Sequence, residues 1–465
     1  MIARRIIAGG LAVPLAVSLA ACSLAPQTAL PPPPVPQSWP VGDAYLAQSE
    51  ADLPQVPYTQ VFRDQRLQQV VALALDNNRD IRIAAANLAA ARAQVRAVRS
   101  AQFPAIGATA SATGTAQGTD GDWSELYSLQ GGITSYEVDL FGKLSNATAA
   151  QRDRALATEA AVRTVRLGIA ANVAAAWATY AADRDLLALA EATAENASDS
   201  VRLTRARFEG GVAPRSDLSQ AEQILATAQD NIAAQKTALA QDENLLRLLV
   251  GADVDPALLP GGLSEIDGSF ATLPAGLSSQ ALLRRPDVIA AEYDLRAANA
   301  DIGVARAKLF PSISLTGLVG LASTALADLF TGGAFRATAG ADAGLSIFDA
   351  GGRRADVAVS EAQRDAALAS YEKAIQTAFR EVADALAVQG TLAERLRANR
   401  ANAAAAATSA TLAEARYTNG VASFLDSLVA QRSLYTAQRA EVSMELASIL
   451  NRVTLYQVLG SDAFE

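Results

Sequence analysis

One short stretch occurs twice in this chain, and nothing else in the sequence constrains its fold as much. Arg207 to Gln229, RFEGGVAPRSDLSQAEQILATAQ, aligns with Arg416 to Gln438, RYTNGVASFLDSLVAQRSLYTAQ, with ten of twenty-three positions identical and an offset of 209 residues. Upstream, Asn87 to Pro104 (NLAAARAQVRAVRSAQFP) matches Asp294 to Pro311 (DLRAANADIGVARAKLFP) at an offset of 207. Nearly the whole chain is therefore a duplication, and a pseudo-symmetric fold is expected.

In each copy the repeated stretch is a glycine-centred break between two long alanine-rich runs. Gly211 and Gly420 suit the left-handed residue that ends a helix. Ser216 or Asp217 in the first copy, and Ser423 or Asp426 in the second, can accept the free amides of the helix that follows. Each copy thus reads as a helical hairpin. The outgoing runs, Lys143 to Phe208 and about Arg353 to Tyr417, are far longer than ordinary helices. Sixty-six residues at about 1.5 Å each reach on the order of 100 Å. Val162, Val165, Ile169, Val173, Trp177 and Tyr180 recur at three- and four-residue spacing and mark one buried stripe. The return runs are Ser216 to Val250 and Ser423 to Leu459, and Gly251 to Gly276, rich in Gly, Pro and acid, links the copies.

Ahead of each hairpin the period changes. Arg66 to Arg99 is helical with an interruption near Asn77 and Asn78, and Phe103-Pro104 ends it because proline disfavours helical geometry in the residue before it. Residues 105 to 117 and 127 to 140 read as strands around a Gly/Asp-rich loop. In the second copy Ile313 to Leu321 and Phe335 to Ile347 alternate apolar with polar. Strands of about 9 to 13 residues, apolar on one side, suit a membrane barrel wall. Four strands cannot close a barrel, and open edges are not tolerated in lipid, so several chains must share one.

Composition narrows the chemistry. The chain has no His and a single Cys among 465 residues, which removes most nucleophile, proton-shuttle and transition-metal chemistry. No nucleotide-binding or nucleophile-elbow fingerprint is present, so the reading is of a protein that is not an enzyme and has no catalytic or metal residues. The net charge of −9 argues against nucleic acid as a partner. Residues 1–21 have a positive start, a short apolar core and small residues before the break, and read as a secretory signal. Leu19-Ala20-Ala21-Cys22 resembles a bacterial lipobox, in which the Cys22 thiol would carry a diacylglycerol. Ser23 after it implies sorting to the outer membrane. The Pro-rich segment that follows reads as a tether or a strap along the surface.

Leu282 to Gly320, LLRRPDVIAAEYDLRAANADIGVARAKLFPSISLTGLVG, is a good helix start at Pro286 and Asp287 followed by a helix and a strand. Taken with VDLFGK (Val138 to Lys143), the paired turns and the lipobox, it resembles the TolC-type outer-membrane factor family. The likeness is strongest to the lipoprotein branch that serves resistance-nodulation-division (RND) efflux systems. The resemblance covers essentially residues 22–460. It implies an α+β membrane protein with a two-fold internal repeat, assembled as a homotrimer. Twelve strands, four from each chain, would form an outer-membrane β-barrel continued by a periplasmic α-helical barrel. Its implied organisation is a signal peptide (1–21), a lipidated tether (22–60), a first efflux repeat (61–251), a linker (252–276) and a second repeat (277–460). The implied partners are a periplasmic adaptor (membrane fusion) protein, an inner-membrane RND transporter and outer-membrane lipid; covalent lipid at Cys22 stands in place of any cofactor. The turns, Gly210, Gly211, Val212, Ala213 and Pro214 with Asn419, Gly420, Val421, Ala422 and Ser423, would be the tip that meets the adaptor.

In that branch an acidic residue often follows the Gly-Val of the second turn and closes the tip. Here Ala422 and Ala213 stand at that place, and Asp217 and Asp426, with Arg416 as counter-charge, are the candidate gate, although both aspartates also read as helix caps. Pro214 is expected to stiffen the first turn, while Phe424 and Leu425 of the second could meet a neighbour. The function so implied is passive export of small molecules, drugs, toxic compounds or metal ions, through a trimeric duct powered from the inner membrane. The competing readings are the outer-membrane part of a type I protein secretion system and a periplasmic coiled-coil adaptor lipoprotein. An adaptor would carry one hairpin within β-rich domains rather than two equivalent ones.

Overall fold

The computed structural model describes residues 23–26, 40, 42, 44–45, 57–117, 122–266, 268–271 and 279–460. Cys22, the signal segment and most of the Pro-rich tether lie outside the described residues. The chain divides into two compact units, one holding residues 86–160 and 289–373 with the early segment 23–26, the other holding 57–85, 161–288 and 374–460.

In chain order the principal elements are α1 (Gln65–Asn77), α2 (Arg79–Ser100), β1 (Ile106–Gln117), β2 (Asp122–Val138), α3 (Lys143–Glu209), α4 (Arg215–Val250), α5 (Pro286–Ala307), β3 (Ser312–Ser323), β4 (Phe335–Gly344), α6 (Gly352–Thr418) and α7 (Phe424–Leu459). The duplication is plain in the lengths: α3 and α6 have 67 residues each, α4 and α7 have 36 each. No helix among the described residues is long and apolar enough to cross a membrane.

The first unit is built on a four-stranded antiparallel sheet in the order β1-β2-β3-β4. The two hairpins are joined in the middle, where β2 pairs with β3 from Tyr127↔Ser323 to Val138↔Ile313, with a bulge between Ile133 and Tyr136. β1 and β4 are the edges, and each has a single ladder. Ile106, Trp123, Leu126, Leu129, Val319 and Phe335 are exposed, an apolar display that makes sense only against lipid or another chain. At the base of the β2–β3 ladder the ring of Phe141 stacks on Phe310, centroids 4.7 Å apart and planes at 18°. Among the helices of this unit the contacts are between small residues, Ala150, Ala297 and Ala300, which lets the backbones approach. Residues 23–26 are tied to these helices: the Ser23 hydroxyl donates to Asn146 Oδ1 (2.9 Å) and Asn299 Nδ2 donates to the Pro26 carbonyl (2.9 Å). The chain directly after Cys22 is therefore a strap on the surface.

The second unit has the larger core. Trp177, Tyr456, Phe62, Ile266, Leu246 and Leu67 are fully buried. Phe62 stands edge-on to both Phe270 (5.8 Å) and Tyr456 (5.0 Å), and the Trp177 indole donates to the Leu258 carbonyl (2.9 Å). Each aromatic group of this size adds a large apolar contribution beside the many buried alanines, leucines and valines of the unit. Of the sequence-derived stripe, Ile169, Val173, Trp177 and Tyr180 are buried, while Val162 and Val165 are half-buried.

Two expectations are corrected. β2 begins at Asp122, five residues before the expected start, because cross-strand pairing with β1 extends Asp-Trp-Ser-Glu-Leu although its polar and apolar residues give no clear alternation. β4 ends at Gly344, so Leu345 to Ile347 lie beyond the strand. The expected linker between the copies also adds to the core: Leu263, Ile266 and Phe270 are buried, and Phe62 and Phe270 form an isolated bridge.

Candidate functional site

The two turns are the same piece of backbone. Gly211 and Gly420 each have φ +74°, the left-handed region where only glycine is unstrained, and a Cβ on either would meet no neighbouring atom. In the first turn the amides of Val212 and Ala213 donate to the Arg207 carbonyl (2.9 and 3.2 Å). In the second those of Val421 and Ala422 donate to the Arg416 carbonyl (2.8 and 3.2 Å). The last carbonyls of α3 and α6 are satisfied in this way.

The starts of α4 and α7 differ. Ser423 is the N-cap of α7: its hydroxyl accepts from the Asp426 amide (3.3 Å) while Asp426 Oδ2 accepts from the Ser423 amide (3.2 Å), a complete capping box. The N-cap of α4 is Pro214, with nearly identical backbone angles but no side-chain cap. The expectation that Ser216 or Asp217 would cap α4 is therefore corrected. Proline has neither the hydroxyl that would accept from residue 217 nor the amide that would donate to Asp217. Asp217 is instead half-buried and accepts from the Ser216 hydroxyl (3.3 Å).

Behind the turns the two hairpins pack together. Val201, Leu218, Ala221, Tyr417 and Phe424 form one buried cluster, with Phe208, Ile224 and Leu225 against it. Phe424 lies in this cluster at 5.2 Å from Tyr417, so it is a core residue of its own chain, whereas Leu425 is exposed. Tyr417 is the hub: its hydroxyl meets Thr204 Oγ1 (3.3 Å, buried), and the Arg207 guanidinium lies 4.7 Å over its ring while Nη1 donates to its carbonyl (3.2 Å). Of the candidate gate residues, Asp426 is held in the capping box, and Arg416 is exposed at the end of α6. Among the exposed residues of the turns are the apolar Val212, Val421, Leu425 and Val429, beside the charged Glu209, Arg215 and Asp426.

Two further polar sites had no sequence signal. Arg285, only 7% exposed, forks Asp287 (3.0 and 2.7 Å), reaches Glu381 (2.8 Å) and donates to the Val458 carbonyl (2.7 Å) at the end of α7. The RRPD segment is thus a clamp that gathers the start of α5, the middle of α6 and the end of α7. Between α3 and α4, burial and then the neighbouring Asp183 carboxylate push the Asp242 carboxyl up to about 7. Gln235 Nε2 donates to Asp183 at 3.3 Å. No group of His, Cys, Asp or Glu among the described residues could hold a metal ion.

The outer membrane efflux protein model matches residues 70–252 and again 277–461. An antibiotic efflux pump outer membrane protein, ArpC, of Pseudomonas putida is 40% identical over 457 residues, covering 96% of this chain and 94% of that protein. A toluene efflux pump outer membrane protein, TtgC, also of Pseudomonas putida, matches to the same extent. Among solved structures, the open state of the MtrE outer membrane channel of Neisseria gonorrhoeae is 31% identical with a TM-score of 0.84, covering 94% of this chain and 98% of that one. With two hairpins, one open sheet and a family match on both copies, the chain belongs to the outer membrane efflux protein family.

Proposed function

We propose that the chain is one subunit of a homotrimeric outer-membrane channel that exports small organic molecules passively. Each chain contributes four strands to a shared barrel and two long hairpins to a periplasmic tunnel. The observation that carries this reading is the sheet in a chain of this family: four strands, both edges unpaired, with large apolar residues outward. No step requires a reacting residue, and the chain does no chemistry of its own. An inner-membrane RND transporter supplies the energy, and an adaptor bridges it to the turns. The exposed Val212, Val421, Leu425 and Val429 offer that adaptor an apolar surface. Asp217, Asp426 and Arg416 stand beside this surface as the candidate gate. Cys22 carries the lipid; the Ser23 and Asn299 contacts that hold the next residues to the surface support a fixed anchoring point. The names of the relatives point to antibiotics and aromatic solvents as the cargo class.

The test is complementation. In a Gram-negative strain lacking its own efflux channel, expressing the chain with its cognate pump and adaptor lowers accumulation of a fluorescent drug and raises tolerance to toluene. A correctly localised trimer that changes neither would overturn the reading. Replacing Cys22 with Ser abolishes labelling by radioactive palmitate; persistence of the label refutes lipidation at that residue.

A further inference from the structure

The contact between residues 23–26 and the helices leaves one polar group unmatched. Asn146, near the start of α3, is only 7% exposed, and the two ends of its side-chain amide fare differently. Oδ1 accepts from the Ser23 hydroxyl at 2.9 Å, and that hydroxyl accepts in turn from the Ala25 amide at 3.3 Å. Nδ2 is buried and has no acceptor among the described residues. A buried donor of this kind is rare in folded chains and calls for a partner.

The surroundings of Nδ2 identify the chemistry of that partner. Two glycines make room for the amide. A Cβ on Gly303 of α5 would stand 2.6 Å from Asn146 Nδ2 and 2.9 Å from the Ala25 nitrogen. One on Gly142 would stand 3.0 Å from the same Nδ2 and 3.4 Å from Ser23 Cα. The donor therefore lies in a notch over which residues 23–25 pass, and the residue before them is Cys22. Beside it Asn299 Nδ2 donates to the Pro26 carbonyl at 2.9 Å, so this surface already holds the strap by a carboxamide donor on a carbonyl acceptor. The duplication does not repeat the site. Asn299 and Gly303 correspond to Arg92 and Arg96 at the offset of 207, and Asn146 corresponds to Ala355 at the offset of 209.

We propose that Asn146 Nδ2 donates to the acyl-amide carbonyl of the mature N-terminus, the carbonyl of the fatty acid joined to the Cys22 nitrogen. The inference rests on the lipidation reading above and adds to it the residue that recognises the finished anchor. Successive α-carbons are about 3.8 Å apart, and the acyl carbonyl lies one peptide unit beyond Cys22 Cα, within reach of an amide that already touches Ser23. A cleaved Cys22 that lacks this acyl group ends in an α-ammonium, which has a positive charge near neutral pH and only donors to offer. Two donors cannot satisfy each other. The notch therefore accepts the acylated end and rejects the free one, and the strap is held firmly only when the last lipid has been added.

The test compares two forms of the full chain in detergent. One comes from ordinary cells and the other from cells depleted of the lipoprotein N-acyltransferase, with mass spectrometry of the N-terminal peptide identifying each. Amide hydrogen exchange over residues 23–25 is the readout. In the parent the acylated form exchanges about fivefold more slowly than the free-amine form, the factor that one net hydrogen bond supplies. Asn146→Asp keeps the acceptor for Ser23 but sets a carboxylate where the donor was, which suits the ammonium, so the order of the two forms reverses. Asn146→Ala removes the difference between them. Ser23→Ala, which loses only the serine bond, speeds both forms equally and preserves the difference. Parent forms that exchange alike, or an acylated form that stays the slower one in both Asn146 variants, overturn the inference and leave lipidation standing. The first of these is also the result expected if Nδ2 met an ester of the diacylglycerol, which both forms carry. An N-terminal peptide without lipid overturns the inference and the lipidation reading together.

Discussion

The two hairpin ends have one backbone and two chemistries. Both turns place glycine at φ +74° and return two amides to one carbonyl. The first then starts α4 at an uncapped Pro214, and the second starts α7 in a capping box of Ser423 and Asp426. The helices behind them diverge in the same manner. Thr204 meets the Tyr417 hydroxyl, but the residues at the corresponding places in the other copy, Ala413 and Phe208, both lack the polar atom. Asp183 and Asp242 likewise correspond to Leu392 and Asn451. The first pair changed together, which is expected where leaving one partner buried and unmatched costs more than losing both; the second did not, since Leu392 is apolar while Asn451 stays polar and buried. The lesson is that geometry was kept by the duplication while electrostatics was free to differ between copies.

The largest test breaks what the turns share. Gly211→Val and Gly420→Val each force a β-branched residue into the left-handed region, at about 2 kcal/mol. Because no side chain crowds either Cβ, the two losses in thermal stability should agree closely; a much larger loss at one turn would mean that the turns are not equivalent. Next come the caps. Ser423→Ala removes the box and costs about 1 kcal/mol, read as faster amide hydrogen exchange over the first turn of α7. Pro214→Ser should gain a box with Asp217 and slow exchange at the start of α4, while Asp217→Ala in the native chain changes little. Similar in size, Tyr417→Phe loses the buried contact with Thr204 at about 1 kcal/mol, and the matching Phe208→Tyr, with Ala413 as its counterpart, gains nothing.

A smaller effect separates the copies by pH. The Asp242 carboxyl titrates near 7 in the folded chain, against about 3.9 in an unfolded one. Folding therefore favours the protonated form: its contribution is complete below pH about 3.9 and is lost as pH rises through about 7. Asp242→Asn, which gives copy one the residue of copy two, should flatten the melting temperature between pH 4 and 7 relative to the parent. An unchanged slope would show that the Asp183–Asp242 pair is not its source.

Much of the fold was legible because its signals are local. Glycines 211 and 420 marked the turns, and the 3.6-residue period marked the long helices to within a residue or two of their observed ends. Asn78 was seen as an interruption. Its role was not seen: 2% exposed, it accepts from the amides of Asp80 and Ile81 and donates to the Leu249 carbonyl across 171 residues of sequence. The candidate site was less legible than the fold. Asp426 carried two readings in the sequence, and only coordinates place it in a box with Ser423. Phe424 looked available to a neighbour, yet it is spent on Tyr417.

The sequence by itself determined the duplication, the hairpins, the strand pairs and the absence of histidine chemistry, since each depends on residue type or on spacings of two to four residues. Only the tertiary structure decided that β2 joins β3 with a bulge at Ile133–Tyr136, that Phe270 of the linker completes the aromatic core, and that Arg285 draws Asp287, Glu381 and Val458 together. These contacts join residues far apart in the chain, and residue type alone does not say which distant partner burial will bring within 3 Å.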